Sequence, residues 1–178
     1  SFDFSLFVSG SLLKKKYGNM ANEINNLDLN VLSFDFLIPK KTIESFHTSI
    51  SNLIKKTSIF LKNKKIDYLI IIGDRYESFI FSLIAKTYQI EIIHLSGGEE
   101  TLGSLDNVYR NAISNLSSIH FPSLPKYKKK LLDFGINKKN IFTVGDIGLS
   151  YLDDCNYLKK KEIEKILGFK FQKKNILV

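Results

Sequence analysis

Residues 67–77 read DYLIIIGDRYE, and this stretch decides the fold. After Asp67 it continues as a short apolar run, rich in β-branched side chains and without polar alternation. Such a run predicts a strand over residues 67–72 that is buried on both faces, as in a parallel sheet covered by helices. The polar residues 73–77 would then lie directly beyond the carboxyl end of that strand.

Similar apolar runs recur on both sides of this stretch, with helical spacing between them. Strands are predicted over residues 4–8, 31–34, 91–95, 118–121, 140–144 and 175–178. Helices are predicted over residues 42–62, 75–89, 105–115, 124–134, 149–154 and 161–167. Strand and helix alternate about every 25 to 35 residues, the period of βαβ units. The predicted fold class is therefore α/β, with a parallel sheet and helices on both faces.

The composition excludes several classes of protein. The chain has 178 residues, of which 44% are hydrophobic and 25% charged, so disordered, low-complexity and collagen-like proteins are excluded. No apolar run approaches the roughly 18 residues that would cross a bilayer. The net charge is +8, but only Arg75 and Arg110 of the 26 basic residues are arginine. Short scattered lysine groups are typical of solvated helix surfaces, so we expect neither nucleic acid nor membrane as a partner.

The cysteine and histidine residues give an indication of the cellular location and of metal binding. Cys155 is the one cysteine, and no signal peptide is visible at Ser1, which together favour a cytoplasmic location. No histidine or cysteine spacing fits a metal site, and neither a dinucleotide-binding glycine motif nor a P-loop is present. We therefore expect no metal and no cofactor.

Residues that could take part in catalysis or ligand binding follow the predicted strands. In open parallel sheets, ligands bind beyond the carboxyl ends of the strands, so residues at these ends are the first candidates. Carboxylates and arginines gathered at one such edge would suit a phosphorylated or nucleotide-linked ligand, without fixing a reaction. The candidates are Gly10, Asp74, Arg75, Ser96, Gly97, Gly98, Glu99, Asp106 and Arg110.

Each of these candidates also has a purely structural interpretation. Asp74 and Asp106 could each be the N-cap of the helix that follows. Gly97 and Gly98 could form a tight turn and nothing more. Arg110 lies one helical turn after Asp106, so the two could form a surface ion pair.

The histidines and the cysteine favour structural roles. His94 and His120 lie among apolar strand residues, where a histidine with satisfied hydrogen bonds is commoner than a catalytic base. His47 is expected on a helix surface. Cys155 has no activating base near it in the sequence, which argues against a nucleophile.

Two motifs carry a family resemblance. They are Gly73-Asp74-Arg75-Tyr76-Glu77 and His94-Leu95-Ser96-Gly97-Gly98-Glu99, followed by Asp106 and Arg110. With these motifs the chain resembles the N-terminal domain of bacterial UDP-N-acetylglucosamine 2-epimerases. Non-hydrolysing relatives carry His-x-Glu-Ala-Gly at the second motif. The difference favours the hydrolysing branch, which feeds sialic and legionaminic acid synthesis.

The resemblance implies a fold of two facing Rossmann-like domains, of the glycosyltransferase-B type. Residues 1–170 would be the N-terminal domain without its first strand. Residues 171–178 would be the hinge and the first strand of a C-terminal nucleotide-binding domain. The resemblance also implies a UDP-sugar as the substrate and a homo-oligomer, a dimer or tetramer, for the full-length protein.

The resemblance further implies the reaction and the residue roles. A hydrolysing 2-epimerase would use the catalytic carboxylates Asp74, Glu99 and Asp106, and this chain alone would be nearly inactive. Asn107 departs from the family pattern, which commonly has Asp there. Two alternatives stay open, namely a glycosyltransferase of the same architecture and a non-catalytic module that binds nucleotide sugars. The implied substrate-binding residues are Arg75, Arg110, Ser96, Gly97, Gly98 and Gly10.

Overall fold

The structure is a computed structural model that describes residues 3–15, 24, 29–38, 42–62, 64–150, 152 and 155–174. The chain divides into two compact units, residues 1–145 and residues 146–178. The first unit contains all of the strands in the described part of the chain. Within its described residues, the second contains two short helices.

Parallel pairing joins the strands of the first unit. They form two sheets, with β1 beside β2 in one and the order β3-β4-β5 in the other. The predicted α/β class is confirmed, although the described residues form two parallel sheets rather than one. The strands are β1 (Ser5–Ser9), β2 (Asn30–Phe34), β3 (Tyr68–Ile72), β4 (Glu91–Leu95) and β5 (Ile119–Phe121).

The helices alternate with the strands, as the periodicity predicts. The longest, α1, begins at a capping box in which the Thr42 side chain accepts from the Ser45 amide and the Ser45 side chain accepts from the Thr42 amide. Single 3₁₀ turns occupy Gly10–Leu13 and Lys138–Asn140. The α-helices are α1 (Ile43–Leu61), α2 (Tyr76–Thr87), α3 (Asp106–Leu116), α4 (Pro125–Asp133), α5 (Ile147–Ser150) and α6 (Lys160–Leu167).

One hydrophobic core joins the two sheets of the first unit. Phe34 of β2, Ile71 of β3 and Ile92 of β4 belong to the same buried cluster. Phe7 of β1 stacks on Phe34 at 5.6 Å between ring centroids and meets Phe81 of α2 edge-on at 5.9 Å. Aromatic pairs of this geometry stabilise beyond their buried area, so these rings bind the smaller sheet to α2.

The prediction that β3 is buried on both faces is wrong. Tyr68, Ile70 and Ile72 are 55%, 46% and 66% exposed, whereas Ile71 is buried. Successive side chains of a strand point to opposite faces, so one face of β3 packs on the core and the other is open. No element in the described ranges covers that second face of β3.

Three further predicted elements differ from the structure or lie outside it. Residues 140–144 form no strand, but Ile141 makes a single parallel bridge to His120. The helix expected over residues 149–154 is observed as Ile147–Ser150, and residues 151, 153 and 154 lie outside the described ones. The strand expected at residues 175–178 also lies outside them, and the proposed domain boundary at residue 170 stays a prediction.

The described part of the second unit consists of α5, α6 and the turns beside them. Its helix α6 ends at Gly168, whose φ of +71° suits glycine at a helix C-terminus. Beyond that turn, the amide of Phe171 donates to Oε1 of Glu164 at 2.8 Å. In either unit, none of the described helices combines the length and the hydrophobicity needed to cross a membrane.

Candidate active site

The carboxyl ends of β1, β3 and β4 carry the candidate residues. β3 is followed by Gly73 and Asp74, and β4 is followed by Ser96. β1 is followed by Gly10, which packs so closely on Glu77 that an added Cβ would lie 3.1 Å from its Oε1. Because Glu77 stands in the first turn of α2, just after β3, the end of β1 lies at the same edge as the end of β3.

Arg110 ties three segments of this edge together. Its side chain is 7% exposed and forms an ion pair with the carboxylate of Asp74 through Nη2. Its Nη1 donates to the main-chain oxygen of Glu99 at 2.8 Å and to Oδ1 of Asn107 at 2.9 Å. A buried guanidinium must be paired, and charge-assisted hydrogen bonds hold both partners in place. The turns after β3 and β4 are therefore fixed to α3.

This pairing decides two of the structural alternatives. Asp74 does not cap α2, since the N-cap residue is Arg75 and no side-chain bond caps that helix. Arg110 forms its ion pair with Asp74, so the structural alternative of a surface pair between Arg110 and Asp106 does not hold.

Glu99 is joined to the site through its main chain, while its side chain turns toward the end of β5. Its Oε1 accepts a hydrogen bond from Oγ of Ser123 at 2.5 Å. Ser123 was not among the predicted candidates, although it follows directly on β5 and Pro122. Position just beyond a predicted strand was the signal that could have found it.

Asp106 lies at the start of α3. Its Oδ2 accepts from Oγ of Ser104 at 3.1 Å, and its own amide donates to the same Oγ at 3.1 Å. The N-cap residue of α3 is Leu105, so Asp106 is the first helical residue and not its cap. Asp106 lies one helical turn before Arg110, the residue that fixes α3 to the turns after β3 and β4.

Arg75 and Glu77 form a second ion pair at this edge. Nε and Nη2 of Arg75 donate to Oε2 and Oε1 of Glu77 at 3.1 and 3.0 Å. These hydrogen bonds are the main reason that the pKa of Arg75 is raised. Burial raises the pKa of the adjacent Tyr76 to about 12. An open cleft of about 340 Å³ lies here, lined by Ser11, Leu37, Arg75, Tyr76 and Glu77.

The turn after β4 needs its glycines for packing. A Cβ on Gly97 would lie 2.9 Å from Nδ1 of His94, and one on Gly98 would lie 2.6 Å from the main-chain oxygen of Tyr127. Close packing thus accounts for both glycines, and their expected role in substrate binding stays a prediction. Ser96 adopts a φ of +62°, a strained conformation of the kind found at functional sites.

His94 has the structural role that its sequence context indicates. It is fully buried, its Nε2 donates to the Gly73 oxygen at 2.9 Å, and its Nδ1 accepts from Oγ of Ser114 at 3.0 Å. Burial lowers the pKa of His94 to about 4, so the ring is neutral at pH 7. His120 is buried beside it in β5, and burial lowers its pKa as well. Throughout the described ranges, no group of His, Cys, Asp and Glu side chains is arranged to hold a metal ion.

The site therefore contains two ion pairs at one sheet edge, Asp74 with Arg110 and Arg75 with Glu77. Carboxylates held in this way can transfer protons, and the guanidinium groups suit the oxygens of a phosphate. Sequence reasoning named three of these four residues. Glu77 lay inside the motif of residues 73–77 but received no role. Its charge, opposite to that of Arg75 two residues earlier, was the signal that could have indicated an ion pair.

The comparisons with known proteins agree with the sequence resemblance. The family model for UDP-N-acetylglucosamine 2-epimerase matches residues 1–178. The chain is 31% identical over 173 residues to a "GDP/UDP-N,N'-diacetylbacillosamine 2-epimerase (hydrolyzing)" of Campylobacter jejuni, covering 97% of this chain and 45% of the relative. It is 29% identical over 164 residues to the "Polysialic acid biosynthesis protein P7" of Escherichia coli, covering 92% and 42%.

A solved structure shares the fold. The UDP-N-acetylglucosamine 2-epimerase of Neisseria meningitidis, bound to UDP-N-acetylglucosamine, superimposes with a TM-score of 0.66 at 20% identity, over 91% of this chain and 42% of that one. The likeness confirms the predicted glycosyltransferase-B type architecture, of which this chain forms about half. The chain likewise spans less than half the length of the curated relatives it matches. On the match over its whole length, the chain belongs to the UDP-N-acetylglucosamine 2-epimerase family.

Proposed function

We propose that the full-length protein containing this chain is a hydrolysing UDP-sugar 2-epimerase, which converts a UDP-2-acetamido sugar and water into UDP and the C2 epimer of the free sugar. The Asp74–Arg110 ion pair is the observation that carries this proposal. It fixes a carboxylate at the carboxyl end of a parallel strand, where open α/β sheets bind their ligands.

The proposed chemistry explains why carboxylates and cations are needed together. The hydrogen at C2 is not acidic, because no carbonyl group is adjacent to it. A base removes this proton while the C1–O bond to UDP breaks; the C–H electrons form a C1–C2 double bond, and the C1–O pair leaves with UDP. Water then adds at C1, and a proton returns to C2 on the opposite face. Two proton-transferring groups and a cation near the diphosphate are therefore required.

We assign these roles within the candidate site. Asp74 and Asp106 are the two catalytic carboxylates, and Glu99 is a third carboxylate of the pocket. Support for Asp74 comes from its fixed position on Arg110, and support for Asp106 from its place in α3, one helical turn before Arg110. We assign substrate contacts to Arg75, Arg110, Gly10 and the turn of Ser96, Gly97 and Gly98.

The test supplies the full-length protein with UDP-N-acetylglucosamine or UDP-N,N'-diacetylbacillosamine in D₂O. We expect UDP and a free sugar inverted at C2 that carries deuterium there. The second substrate is included because the Campylobacter jejuni relative is named for it. Transfer of the sugar to an acceptor with C2 unchanged would identify a glycosyltransferase instead. Binding of both nucleotide sugars without turnover would identify a non-catalytic module.

Substitution of Asp74 tests the assigned chemistry. Asp74→Asn keeps the shape of the side chain but removes the proton-accepting charge, so we expect kcat to fall by about 10² to 10⁴. The control is Asp35→Asn, which removes an exposed carboxylate paired with Lys14 and should leave kcat unchanged. An unchanged kcat in Asp74→Asn would remove Asp74 from the mechanism.

We also propose the pathway, the source, the location and the oligomeric state of the full-length protein. The name of the Escherichia coli relative supports a place in sialic acid synthesis, the family resemblance adds legionaminic acid as the alternative, and the relatives reported above support a bacterial source. The single cysteine supports a cytoplasmic location, and the family resemblance supports a dimer or tetramer. Cell fractionation and light scattering of the full-length protein test the last two.

A further inference from the structure

The Arg75–Glu77 pair is unusual because its two members differ in exposure. The side chain of Glu77 is 9% exposed, whereas that of Arg75 is 63% exposed. An ordinary surface ion pair contributes little and does not require a buried partner. Here a buried carboxylate, packed against the backbone of Gly10, holds an exposed guanidinium in one orientation.

The geometry of the pair leaves part of the guanidinium free. Glu77 accepts from Nε and Nη2, which is the side-on edge of Arg75. Within the part of the chain that the structure describes, Nη1 has no hydrogen-bond partner. The group therefore presents a fixed positive charge with unused donors at the cleft that both residues line.

The unused donors suit an anionic ligand with several oxygens. A guanidinium is planar and permanently charged, and its fork of N–H groups matches the oxygens of a phosphate. The hydrogen bonds to Glu77 raise the pKa of Arg75, and the charge of Asp106 adds a smaller contribution, so the guanidinium keeps its charge. An anion held by Arg75 would lie in the cleft that Arg75 and Glu77 line.

We propose that Glu77 is a positioning residue that holds Arg75 as the contact for the diphosphate of the substrate. This inference rests on the proposed function and adds a residue to it. As the C1–O bond breaks, the leaving diphosphate gains negative charge. A cation already oriented toward it stabilises that charge without reorganisation. Glu77 acts only through Arg75.

A double-mutant cycle in the full-length protein tests this relationship. We expect Arg75→Gln and Glu77→Gln each to lower kcat/KM for UDP-N-acetylglucosamine at least about tenfold. The double variant should be less than about twofold below Arg75→Gln, because residues that act as one unit are not additive. Losses that multiply in the double variant, or a wild-type kcat/KM in Arg75→Gln, would overturn the proposal.

Glu44→Gln is the matched control. Glu44 is the second residue of α1, as Glu77 is of α2, so both substitutions remove a carboxylate from the first turn of a helix. Glu44→Gln should keep the wild-type kcat/KM. An equal loss in this control would indicate a general effect of helix-terminal charge and would overturn the proposal.

Binding measurements separate this inference from the proposed function. Calorimetry with UDP and with inorganic pyrophosphate requires no turnover. We expect Arg75→Gln and Glu77→Gln to weaken the binding of both at least about fivefold, even if the wild type releases no free sugar. Unchanged affinities in Arg75→Gln would overturn the diphosphate contact, whatever reaction the protein catalyses. Because Arg75 is exposed, this variant decides the question even if Glu77→Gln does not fold.

Discussion

Gly98 illustrates how closely the backbone packs beneath the candidate site. Gly98 and Gly103 have similar positive φ values, +79° and +74°, so alanine strains the backbone about equally at each. Their surroundings differ, because a Cβ on Gly98 would lie 2.6 Å from the Tyr127 oxygen and one on Gly103 would meet nothing. We expect Gly103→Ala to lower the free energy of unfolding by about 1 kcal/mol and Gly98→Ala by about 3 kcal/mol.

Urea unfolding of both variants measures this difference. Since the φ values nearly match, the difference between the two free energies isolates the steric clash. Equal losses would mean that Tyr127 moves away freely and that the turn after β4 is loosely packed.

The buried His94 predicts a dependence of stability on pH. Burial lowers the pKa of its folded form to about 4, below the ordinary 6.5, so the unfolded chain binds the proton more tightly. The stabilisation is complete above pH 6.5 and is lost as the pH falls toward 4. Between pH 7 and pH 5.5 we expect His94 to contribute a loss of about 1 kcal/mol in the free energy of unfolding.

Denaturant unfolding at several pH values checks this expectation. His94→Gln should reduce the dependence, because an amide does not titrate in this range, while His120, whose pKa burial also lowers, keeps its own contribution. His47→Gln, on the exposed surface of α1, should leave the dependence as in the wild type. If His94→Gln retains the full wild-type slope between pH 7 and pH 5.5, His94 is not the residue responsible.

Most residues of the candidate site could be predicted from the sequence, but their pairing could not. Sequence reasoning named Asp74 and Arg110 but could not pair them, because they are 36 positions apart and meet only when the turn after β3 approaches α3. Helical spacing suggested Asp106 instead, since it measures nearness along one helix alone. Ser123 was missed for the same reason, because its partner Glu99 is 24 positions away. Glu77 lies only two positions from Arg75, but its burial depends on the packing of α2 against Gly10 and not on that spacing.

At the scale of elements, Asn107 connects the loop before α3 to the candidate site. Its Oδ1 accepts from the Thr101 amide at 2.9 Å, and its Nδ2 donates to the Thr101 oxygen at 2.6 Å. The same Oδ1 also accepts from Arg110. We expect Asn107→Ala to release the loop, so that the Thr101 amide exchanges with solvent at least about tenfold faster.

Hydrogen exchange followed by NMR gives the rate at Thr101. Asn115→Ala is the control, because Asn115 lies on the same helix and its side chain bonds only within α3, to the Asn111 oxygen. That variant should leave the Thr101 rate unchanged. A Thr101 amide that stays equally protected in Asn107→Ala would show that other contacts hold the loop.

The positions of the strands and helices were largely predictable, whereas the burial and pairing of each strand were less so. The apolar runs located β4 at residues 91–95 and the helical spacing located α1 within one residue at each end. The coverage of β3 was not predictable, because an apolar run reports hydrophobicity and not which neighbours are present. Residues 140–144 have strand composition, yet within them only Ile141 forms a bridge.

At the scale of the whole molecule, the sequence pattern predicted the α/β class but not two separate sheets around one core. Alternation of strands and helices is a local property, and the pairing of strands is not. Ring contacts such as Phe7 with Phe81 join the smaller sheet to α2 across 74 positions of sequence. The family resemblance supplied the reaction, which composition and spacing alone could not provide.

Residues 1–178 by themselves should have little of the activity of the full-length protein. Both ion pairs of the candidate site are open to water on one side, since Asp74 is 22% and Arg75 is 63% exposed. Proton transfer and departure of a diphosphate need a cleft from which water is excluded. We therefore expect residues 1–178 to show less than about 1% of the kcat/KM of the full-length protein. Assays of both proteins at equal concentration decide this, and robust turnover by the isolated chain would mean that the site described here is catalytically complete.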